Sequence, residues 1–486
     1  MSAKNISVLD KYPEYALNIG IEVHVQLNTK SKIFCSSSNQ QCKEPNVCIC
    51  DICAGYPGVL PVLNKKVVDY AILAALATNS YISNICSFAR KHYFYPDLPK
   101  GYQITQGSEP ICQDGYIPIR LEDGSIKKIN LIRIHMEEDA GKNIHATGNE
   151  SFVDLNRAGT PLLEIVSYPD ITSTYEAKVY LKAIHQIVTY LGISTGNMDE
   201  GAFRADTNIS VRKKDNEELG TRCELKNINS FKFIGDAIEY EIERQIELLE
   251  SGGTVDQETR LWDTTKKISK TMRSKEEAAD YRYFPEPDLP LVEINDEWIS
   301  RVEKLLPELP QEKFVRLTDE VGLSPYEAEI LVDNKELADY FEKARALTQS
   351  KHLINWILRD LMGYLKEHKL ELAQCKITPE RMAQLIDLLD NGTINAAAAK
   401  EVFEIVAQTR QAPADLVKEK GLEQIGSVEE LEVIVKEIVA NNPAQVEQYK
   451  SGKDKMFGFF VGQAMKKTQG KGNPKIIQEL LKKHLS

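Results

Sequence analysis

The sequence predicts an α+β protein in which a large domain built on an antiparallel sheet precedes a helical region. The first observation is the stretch at residues 16–27, ALNIGIEVHVQL, where every second residue from Leu17 onward is apolar. Because successive side chains of a β-strand point to opposite faces, this alternation predicts a half-buried strand. The second observation is that strand patterns and glycine become rare from about residue 295, where apolar residues recur with helical spacing.

The composition excludes several broad classes of protein. Hydrophobic residues make up 42% of the chain and charged residues 27%, as in ordinary globular proteins. No apolar run is long enough to span a bilayer, and residues 1–15 lack the apolar core of a signal peptide. These features predict a cytoplasmic protein. The net charge is −12, so contact with a nucleic acid would need a local basic surface. A length of 486 residues, at about 150 residues per domain, suggests roughly three domains.

The polar face of the first predicted strand carries Glu22 and His24 side by side. A carboxylate and an imidazole on one stiff strand can hold a divalent cation or transfer a proton. A second alternating stretch, residues 126–142, ends in three consecutive carboxylates that begin with Glu137 and Glu138. Such carboxylates repel one another, and a divalent cation offsets the repulsion. A solvated sheet face and a solvated acidic turn are the alternative interpretations.

Five of the nine cysteines are concentrated in one short segment, at Cys35, Cys42, Cys48, Cys50 and Cys53. Cys50 and Cys53 form a C-x-x-C pair, a spacing that lets two thiolates reach one zinc ion. The other three cysteines are candidates for the remaining two ligands. The segment contains no histidine, which favours a closed structural site over a catalytic one. Free surface thiols are the alternative.

The elements between these segments follow from local patterns. An alanine-rich stretch at residues 64–79 predicts a helix, and residues 88–106 mix basic and aromatic side chains with two prolines, which predicts a loop. Such a loop can stack on a base and hold phosphates, or pack as an aromatic Ω-loop. Residues 173–191 predict a helix whose apolar stripe leaves His185 on the surface, and a long helix is expected over residues 230–252.

Two further stretches predict strands with charged faces. Arg204, Asp206 and Asn208 share a face by the period of two, as do alternate residues from 222 to 226. These charges either pair across strands or contribute to a binding site.

The last stretch, residues 451–486, inverts the charge of the chain. It carries eight lysines against two carboxylates, a net charge of +6. This predicts a surface that contacts RNA through lysines such as Lys466, Lys467 and Lys471. A lysine-rich solubilising tail is the alternative.

The common nucleotide-binding and hydrolase motifs are absent from the sequence. It contains no G-x-x-x-x-G-K-[ST], no G-x-G-x-x-G and no G-x-S-x-G. A site for ATP would therefore have to be built from carboxylates, metal and basic residues on a sheet.

Several long motifs occur in one order along essentially the whole chain. They include IGIEVHVQL, RKHYFYPDLPKGYQITQ, HMEEDAGK, VDLNRAGTPLLEIV, EGAFRADTNISV, QETRLWD, DYRYFPEPDLP and the terminal GKDKMFGFFVGQAMKKTQGKGNP. In these motifs the chain resembles the B-subunit family of the tRNA-dependent aspartyl/glutamyl amidotransferases. The resemblance implies a cradle-shaped catalytic domain at residues 1–292, a helical domain at 293–408 and a tRNA-binding tail domain at 409–486.

The resemblance also implies a ligase that forms carbon–nitrogen bonds with glutamine as amido donor. ATP would activate the side-chain carboxylate of Glu-tRNA(Gln), Asp-tRNA(Asn) or both, and ammonia would then give the amide. The ammonia would come through a channel from the glutaminase (A) partner of the same amidotransferase, and a third, small (C) partner would complete a heterotrimer. Which aminoacyl-tRNA is used is not encoded by any residue here.

The family's functional residues carry over by motif. Glu22, His24 and Glu137 would hold Mg²⁺, and Glu138 with Lys100 would line the ammonia path near the acceptor end. Candidates for contacts to ATP or the tRNA end are Lys91, Arg157, Arg204, Asp206 and Asn208.

The cysteine segment departs from the family pattern. Its first half-site is often C-x-C, whereas here Ser36 and Ser37 follow Cys35. The predicted structural zinc set is therefore Cys35, Cys42, Cys50 and Cys53, with Cys48 as the alternative to Cys42.

Two other functions compete with the amidotransferase hypothesis. A tRNA-binding scaffold without catalysis would have lost the acidic residues, yet Glu22, His24, Glu137 and Glu138 are all present. A stand-alone zinc hydrolase is disfavoured because the cysteine segment has no histidine, a frequent ligand of catalytic zinc.

Overall fold

The structure is a computed structural model that describes residues 7–145, 150–228, 230–274, 280–424, 427–468 and 470–485. The chain divides into two compact units, Met1–Lys313 and Phe314–Ser486. The described part has the predicted α+β architecture, since the first unit combines all the described strands with several helices and the second unit is helical. The finer division into three domains, with boundaries after residues 292 and 408, stays a prediction.

The strands are β1 (Tyr15–Gln26), β2 (Tyr81–Ile82), β3 (Ile85–Cys86), β4 (Ala89–His92), β5 (Tyr102–Thr105), β6 (Cys112–Gln113), β7 (Tyr116–Arg120), β8 (Ile126–Glu138), β9 (Lys142–His145), β10 (Ser151–Asp154), β11 (Pro161–Ser167), β12 (Phe203–Lys213), β13 (Cys223–Ile228), β14 (Glu258–Asp263), β15 (Ile268–Ser274), β16 (Phe284–Pro285) and β17 (Val292–Glu293).

The helices are α1 (Val8–Lys11), α2 (Lys65–Ala77), α3 (Thr174–Tyr190), α4 (Phe231–Glu250), α5 (Asp296–Glu303), α6 (Pro310–Asp319), α7 (Pro325–Asp333), α8 (Lys335–Arg345), α9 (Leu353–Asn355), α10 (Met362–His368), α11 (Pro379–Asp390), α12 (Ala396–Thr409), α13 (Pro413–Glu419), α14 (Val428–Asn441), α15 (Pro443–Lys450), α16 (Lys455–Lys467) and α17 (Pro474–Leu485). A π-helical segment, Trp356–Leu361, joins α9 to α10, and a 3₁₀ turn lies at Leu372–Gln374.

The strand β1 occupies the middle of a ten-stranded sheet. The strand order is β15-β14-β13-β12-β1-β11-β8-β6-β2, with β7 also paired to β8. Within this sheet, among the described residues, β13 and β14 run parallel and every other pairing is antiparallel. The first predicted strand is therefore confirmed and is flanked by β12 and β11.

One face of this sheet is the main hydrophobic core of the first unit. Leu17, Ile19, Ile21, Val23 and Val25 of β1 are at most 2% exposed and pack with buried residues of α2, α3 and α4. Burying each such side chain stabilises the fold by about 1.5–3 kcal/mol. Because this face is covered by helices, the polar side chains of the same strands lie on the opposite face.

The helix α3 forms as its sequence predicts. The Ser173 Oγ accepts a hydrogen bond from the Glu176 N–H at 3.1 Å and caps the helix. Tyr180, Leu181 and Ile184 of the predicted stripe are at most 1% exposed. The prediction of a surface position for His185 is wrong. Its ring lies half-buried, with ring centroids 5.5 Å from Phe203 and 5.6 Å from Phe231.

The stretch at residues 88–106 is not the continuous loop that its prolines predict. Strands β4 and β5 pair antiparallel across it, and β16 pairs with the other edge of β4. Pro96 and Pro99 lie in the connection between β4 and β5, where they remove no ladder hydrogen bond. The aromatic loop is therefore a hairpin.

The helical prediction for the second half of the chain is confirmed, since no strand occurs in the described residues after Glu293. Thr378 caps α11 by accepting a hydrogen bond from the Arg381 N–H, and Pro379 takes the first helical position. Two clusters of buried apolar side chains form the interior of the second unit, one from Leu317 to Val417 and one from Leu431 to Leu485. Within the described ranges, no helix has the length and apolar character needed to cross a membrane.

Candidate metal and substrate site on the sheet

Strand register brings four charged or ionisable side chains into one row on the polar face of the sheet. Arg204 of β12 lies opposite His24 of β1, and His24 lies opposite Glu164 of β11. Glu164 in turn lies opposite His135 of β8. Directly opposed residues of antiparallel strands point to the same face, so these side chains are neighbours.

The imidazole of His24 is the centre of a group of carboxylates. Its Nε2 lies 3.3 Å from Glu137 Oε1 and 3.5 Å from Glu22 Oε1. Two sets of ligand atoms converge here, each with all its atoms within 4.8 Å of one another: Glu22, His24 and Asp206, and His24, Glu137 and Glu164. The three predicted magnesium ligands thus lie together, and the donor set of carboxylate oxygens fits a hard divalent cation.

The electrostatics of this group are those of crowded, mostly buried charges. Burial opposes the charged form of His24, but the hydrogen bond and negative charge of Glu137 outweigh it and raise the pKa of His24 to about 9. Burial and the charge of Glu164 raise the pKa of Glu22. Glu164 behaves in the opposite way, since His135 and His24 overcome its burial and lower its pKa to about 2. The carboxylates of Glu22, Glu137 and Glu164 therefore surround the single imidazole of His24.

Glu164 and His135 were not singled out as site residues by sequence reasoning. Their signal is a single carboxylate inside the apolar run PLLEIVS and a histidine whose neighbours on β8 are buried. Glu164 accepts a hydrogen bond from Arg133 at 3.3 Å and lies 3.7 Å from the Nδ1 of His135. A buried carboxylate between two histidines of neighbouring strands is apparent only once the strand register is known.

The predicted pair Lys100 and Glu138 is formed. The Lys100 Nζ makes an ion pair and hydrogen bond with Glu138 Oε1, which also accepts from the Ile104 N–H at 2.9 Å. Glu138 is 3% exposed. The neighbouring Glu137 points into the metal group and accepts from the Thr105 hydroxyl at 3.1 Å. The two consecutive carboxylates at the end of β8 therefore have different partners. Glu137 belongs to the group around His24, and Glu138 pairs with Lys100.

Two of the predicted basic residues share one buried carboxylate. Asp139 Oδ2 accepts a hydrogen bond from Arg204 at 2.8 Å and from the Gln26 side chain at 3.0 Å, and it lies 3.5 Å from Arg157 Nε. Arg157 also donates to the backbone carbonyls of residues 140 and 141. Asp139 was not a predicted site residue.

Lys91 lies on β4 among aromatic rings. Its Nζ is 5.0 Å from the ring centroid of Tyr281 and 5.9 Å from that of Tyr93. Burial opposes the charge of Lys91, but the carboxylates of Glu137 and Glu164 keep its pKa above the usual lysine range. The hairpin therefore brings one cation toward the carboxylate group.

On the β12 and β13 side of the polar face, the carboxylates have a lysine close to them. Asp206 and Glu224 contact Lys226 Nζ at 2.5 Å and 3.2 Å. The predicted residue Asn208 lies two positions along β12 from Asp206, opposite Gly20. It shares the polar face but has no place in either set of ligand atoms.

The cysteine segment differs from its predicted arrangement in one ligand. Cys35, Cys50 and Cys53 converge with their sulfur atoms within 4.8 Å of one another, and three thiols at this spacing fit a thiophilic cation such as Zn²⁺. Cys42 is instead joined to Cys48 by a disulfide. Their sulfurs are bonded to each other, so neither offers a thiolate, and the structure does not support Cys42 as the fourth ligand.

The lysines of the terminal stretch lie around the end of α16. Lys466 and Lys467 are exposed in its last turn, and Lys471 is half-buried beyond it. Lys467 forms an ion pair with Glu437, so part of its charge is already compensated.

Comparison with known proteins gives matches over most of the chain. A family model described as the GatB/GatE catalytic domain matches residues 17–300, and one described as the GatB domain matches residues 339–485. A relative from Geotalea daltonii is 53% identical over 477 residues, which cover 97% of this chain and 99% of the relative. One from Carboxydothermus hydrogenoformans is 50% identical over 478 residues, which cover 97% and 99%. Both relatives bear the name of the B subunit of an aspartyl/glutamyl-tRNA(Asn/Gln) amidotransferase.

Proposed function

Because the chain belongs to the GatB/GatE family of amidotransferase B subunits, we propose that it activates the side-chain carboxylate of Glu-tRNA(Gln), Asp-tRNA(Asn) or both with ATP and amidates it with ammonia. The observation that carries this proposal is the group of carboxylates around His24, where ligand atoms from four strands lie within 4.8 Å in two overlapping sets. A phosphoryl-transfer site needs such a group to hold the cation that accompanies ATP.

The residues that would hold Mg²⁺ are Glu22, His24 and Glu137, joined by Glu164 and Asp206. When bound, the cation neutralises phosphate charge and aligns the reacting groups. These ligands stand on neighbouring strands of one sheet, so their spacing is set before the substrate arrives. The absence of a glycine-rich phosphate loop from the sequence is consistent with such a site.

In the first step an oxygen of the substrate carboxylate forms a bond to the γ-phosphorus of ATP. The bond from that phosphorus to the bridging oxygen breaks, and ADP leaves with the electron pair. Both reacting partners are anionic, so cationic side chains must hold them together. Arg204, Arg157 and Lys91 supply this charge, and Asp139 keeps the two arginines adjacent.

In the second step ammonia attacks the acyl phosphate. A carbon–nitrogen bond forms, the carbon–oxygen bond to phosphate breaks, and one proton of the ammonia passes to a base. Glu138 is the proposed acceptor, because its carboxylate is buried and held by Lys100 at the end of β8. Exclusion of water there would protect the acyl phosphate from hydrolysis.

The proposed partners follow from the same chemistry. The glutaminase (A) partner supplies ammonia, and the small (C) partner completes the heterotrimer. The basic terminal stretch contributes to tRNA binding. The complex works in the cytoplasm. Glu22, His24 and Glu137 are intact and gathered on one sheet face, and Glu138 is intact beside them in its pair with Lys100, which supports catalysis over a scaffold role.

The test is co-expression of the chain with both partner proteins, followed by an amidation assay on Glu-tRNA(Gln) and Asp-tRNA(Asn). We expect amide formation that requires ATP, Mg²⁺ and glutamine, and ADP release that requires the charged tRNA. Absence of amidation of both tRNAs by an assembled complex that retains glutaminase activity would refute the proposal.

A further inference from the structure

The strand β13 carries one extra residue directly opposite Asp206. The register between β12 and β13 shifts between Ala205 and Thr207, where two steps along β12 correspond to three steps along β13. Asp206 is therefore faced by both Lys226 and Asn227, which is the arrangement of a β-bulge. Bulges are frequent next to active sites, where they change the direction in which a side chain points.

The bulge keeps Lys226 on the polar face of the sheet. Asn227 has a φ of +67°, a left-handed conformation that asparagine adopts more readily than most residues. Its Nδ2 donates a hydrogen bond to the Trp262 carbonyl at 3.2 Å. The next residue, Ile228, returns to the core and is 3% exposed, whereas strict alternation from Lys226 would have placed it on the polar face.

The ammonium of Lys226 lies between two carboxylates that differ in their other contacts. Its Nζ is 2.5 Å from Asp206 Oδ2 and 3.2 Å from Glu224 Oε1. Glu224 is held in place from its other side, because the buried Thr259 hydroxyl donates to its Oε2 at 2.7 Å. Asp206 instead contributes an oxygen to one of the two sets of ligand atoms around His24.

The position of Lys226 makes it a competitor of a divalent cation. Burial is the main factor that raises the pKa of Glu22, and the charge of Lys226 acts against it, so the ammonium is within electrostatic reach of a predicted ligand. The Lys226 side chain is 32% exposed and lies at the open side of the polar face. Two cations that share Asp206 repel each other. A divalent cation bound there therefore displaces Lys226 from Asp206 and leaves it with Glu224.

We propose that Lys226 is the counter-cation of Asp206 in the unloaded site and a phosphate-binding residue in the loaded site. A divalent cation takes over Asp206, and the released ammonium, still paired with Glu224, holds an oxygen of the ATP phosphates. A lysine suits this exchange because its flexible stem carries three hydrogen-bond donors. The assignment rests on the proposed function, since it concerns the same cation and the same nucleotide.

The first test measures cation binding in the absence of nucleotide. The full chain is titrated with Mn²⁺, which carboxylate oxygens bind as they bind Mg²⁺, and free Mn²⁺ is measured by electron paramagnetic resonance. Lys226→Met removes the competing charge and should tighten Mn²⁺ binding by about three- to tenfold. Lys213→Met is the matched control, because Lys213 is exposed at the far end of the strand that carries Asp206, and it should leave the affinity unchanged.

The second test measures ATP binding at saturating Mg²⁺ by equilibrium dialysis of the complex assembled with both partner proteins. Lys226→Met loses a charge-assisted hydrogen bond to phosphate and should weaken ATP binding by about 10–100-fold. The two expected effects have opposite signs, whereas general damage to the site would weaken both kinds of binding. Lys226→Arg keeps a positive charge and should lie closer to wild type than Lys226→Met in both measurements.

The bulge provides a second pair of variants if Lys226→Met does not fold. Asn227→Gly keeps the left-handed backbone, and Asn227→Val disfavours it because a β-branched side chain rarely tolerates a positive φ. Asn227→Val should therefore misdirect Lys226, tighten Mn²⁺ binding and weaken ATP binding. Asn227→Gly should change neither affinity by more than a few-fold.

Unchanged or weaker Mn²⁺ binding by folded Lys226→Met protein would overturn the assignment, as would an unchanged ATP affinity. Equal affinities of folded Asn227→Val and Asn227→Gly proteins would also overturn it. All of these measurements report binding. A complex that shows the expected affinities but amidates neither tRNA would refute the proposed function and not the role of Lys226.

Discussion

Replacement of Glu164 by glutamine tests the candidate site at the residue that only the structure identifies. The change keeps the volume of the side chain and the oxygen that accepts from Arg133 at 3.3 Å, but it removes a carboxylate from the set with His24 and Glu137. Loss of a ligand from a phosphoryl-transfer site should reduce ATP-dependent amidation by about a thousandfold, or about 4 kcal/mol of transition-state stabilisation.

The assay separates this chemistry from the rest of the complex. Release of ADP in response to charged tRNA and formation of amide should both fall, whereas glutamine hydrolysis and tRNA binding should be retained, because those functions lie elsewhere in the proposed complex. Raising the Mg²⁺ concentration should recover part of the rate if the lost ligand mainly weakened cation binding. Glu218→Gln is the matched control, since Glu218 is an exposed carboxylate outside the site.

A fall of less than tenfold at saturating Mg²⁺ would show that Glu164 only organises the sheet through Arg133 and His135. Equal loss of tRNA binding would show instead that the substitution disturbs the fold. Thermal unfolding of both variants distinguishes these outcomes, because Glu218→Gln should leave the midpoint unchanged.

Three further predictions concern other parts of the proposed mechanism. His24→Ala should lower charged-tRNA-dependent ADP release by about a thousandfold while glutaminase turnover persists, and His352→Ala, an exposed histidine of the second unit, should not. Asp139→Asn should loosen Arg204 and Arg157 and raise the KM for ATP or tRNA more than it lowers kcat, which steady-state kinetics will show. In tRNA filter binding, joint replacement of three tail lysines should reduce the salt slope by about two rather than three, because one of them is already paired with Glu437. An unchanged slope would mean that none of the three contacts phosphate. The lysines to be replaced are Lys466, Lys467 and Lys471.

The sequence was sufficient where the signal is local. Strict alternation in residues 16–27 predicted the strand, its buried face and the polar face that carries Glu22 and His24, all of which the structure confirms. Glu137 also lies near His24, as the resemblance implied. The period of two by itself could not show that β1 and β8 come close together.

The features that the sequence did not predict depend on contacts between residues that are distant in the chain. Glu164 and Asp206 join the ligand sets only because β11 and β12 pair with β1 in a particular register. The hairpin of β4 and β5 was missed because its prolines lie in the turn, and His185 is half-buried because Phe203 and Phe231 from other elements pack against its ring. In the cysteine segment, spacing could not show that Cys42 is paired to Cys48.

The distribution of charge on the polar face indicates where a cation would bind. On the β12 and β13 side, Asp206 and Glu224 share the ammonium of Lys226 at 2.5 Å and 3.2 Å. On the β1 and β8 side, Glu22 and Glu137 both face the single imidazole of His24 at longer distances of 3.5 Å and 3.3 Å. Coulombic attraction weakens with distance, and one imidazolium cannot fully compensate two carboxylates. The excess negative charge therefore lies around His24, where Glu164 of the intervening strand β11 joins these two carboxylates, next to the end of β8 where Glu138 and Lys100 pair. A cation bound at this position would lie beside the proposed ammonia path. This placement is required because phosphorylation by ATP and attack by ammonia take place in succession at the same substrate carboxylate.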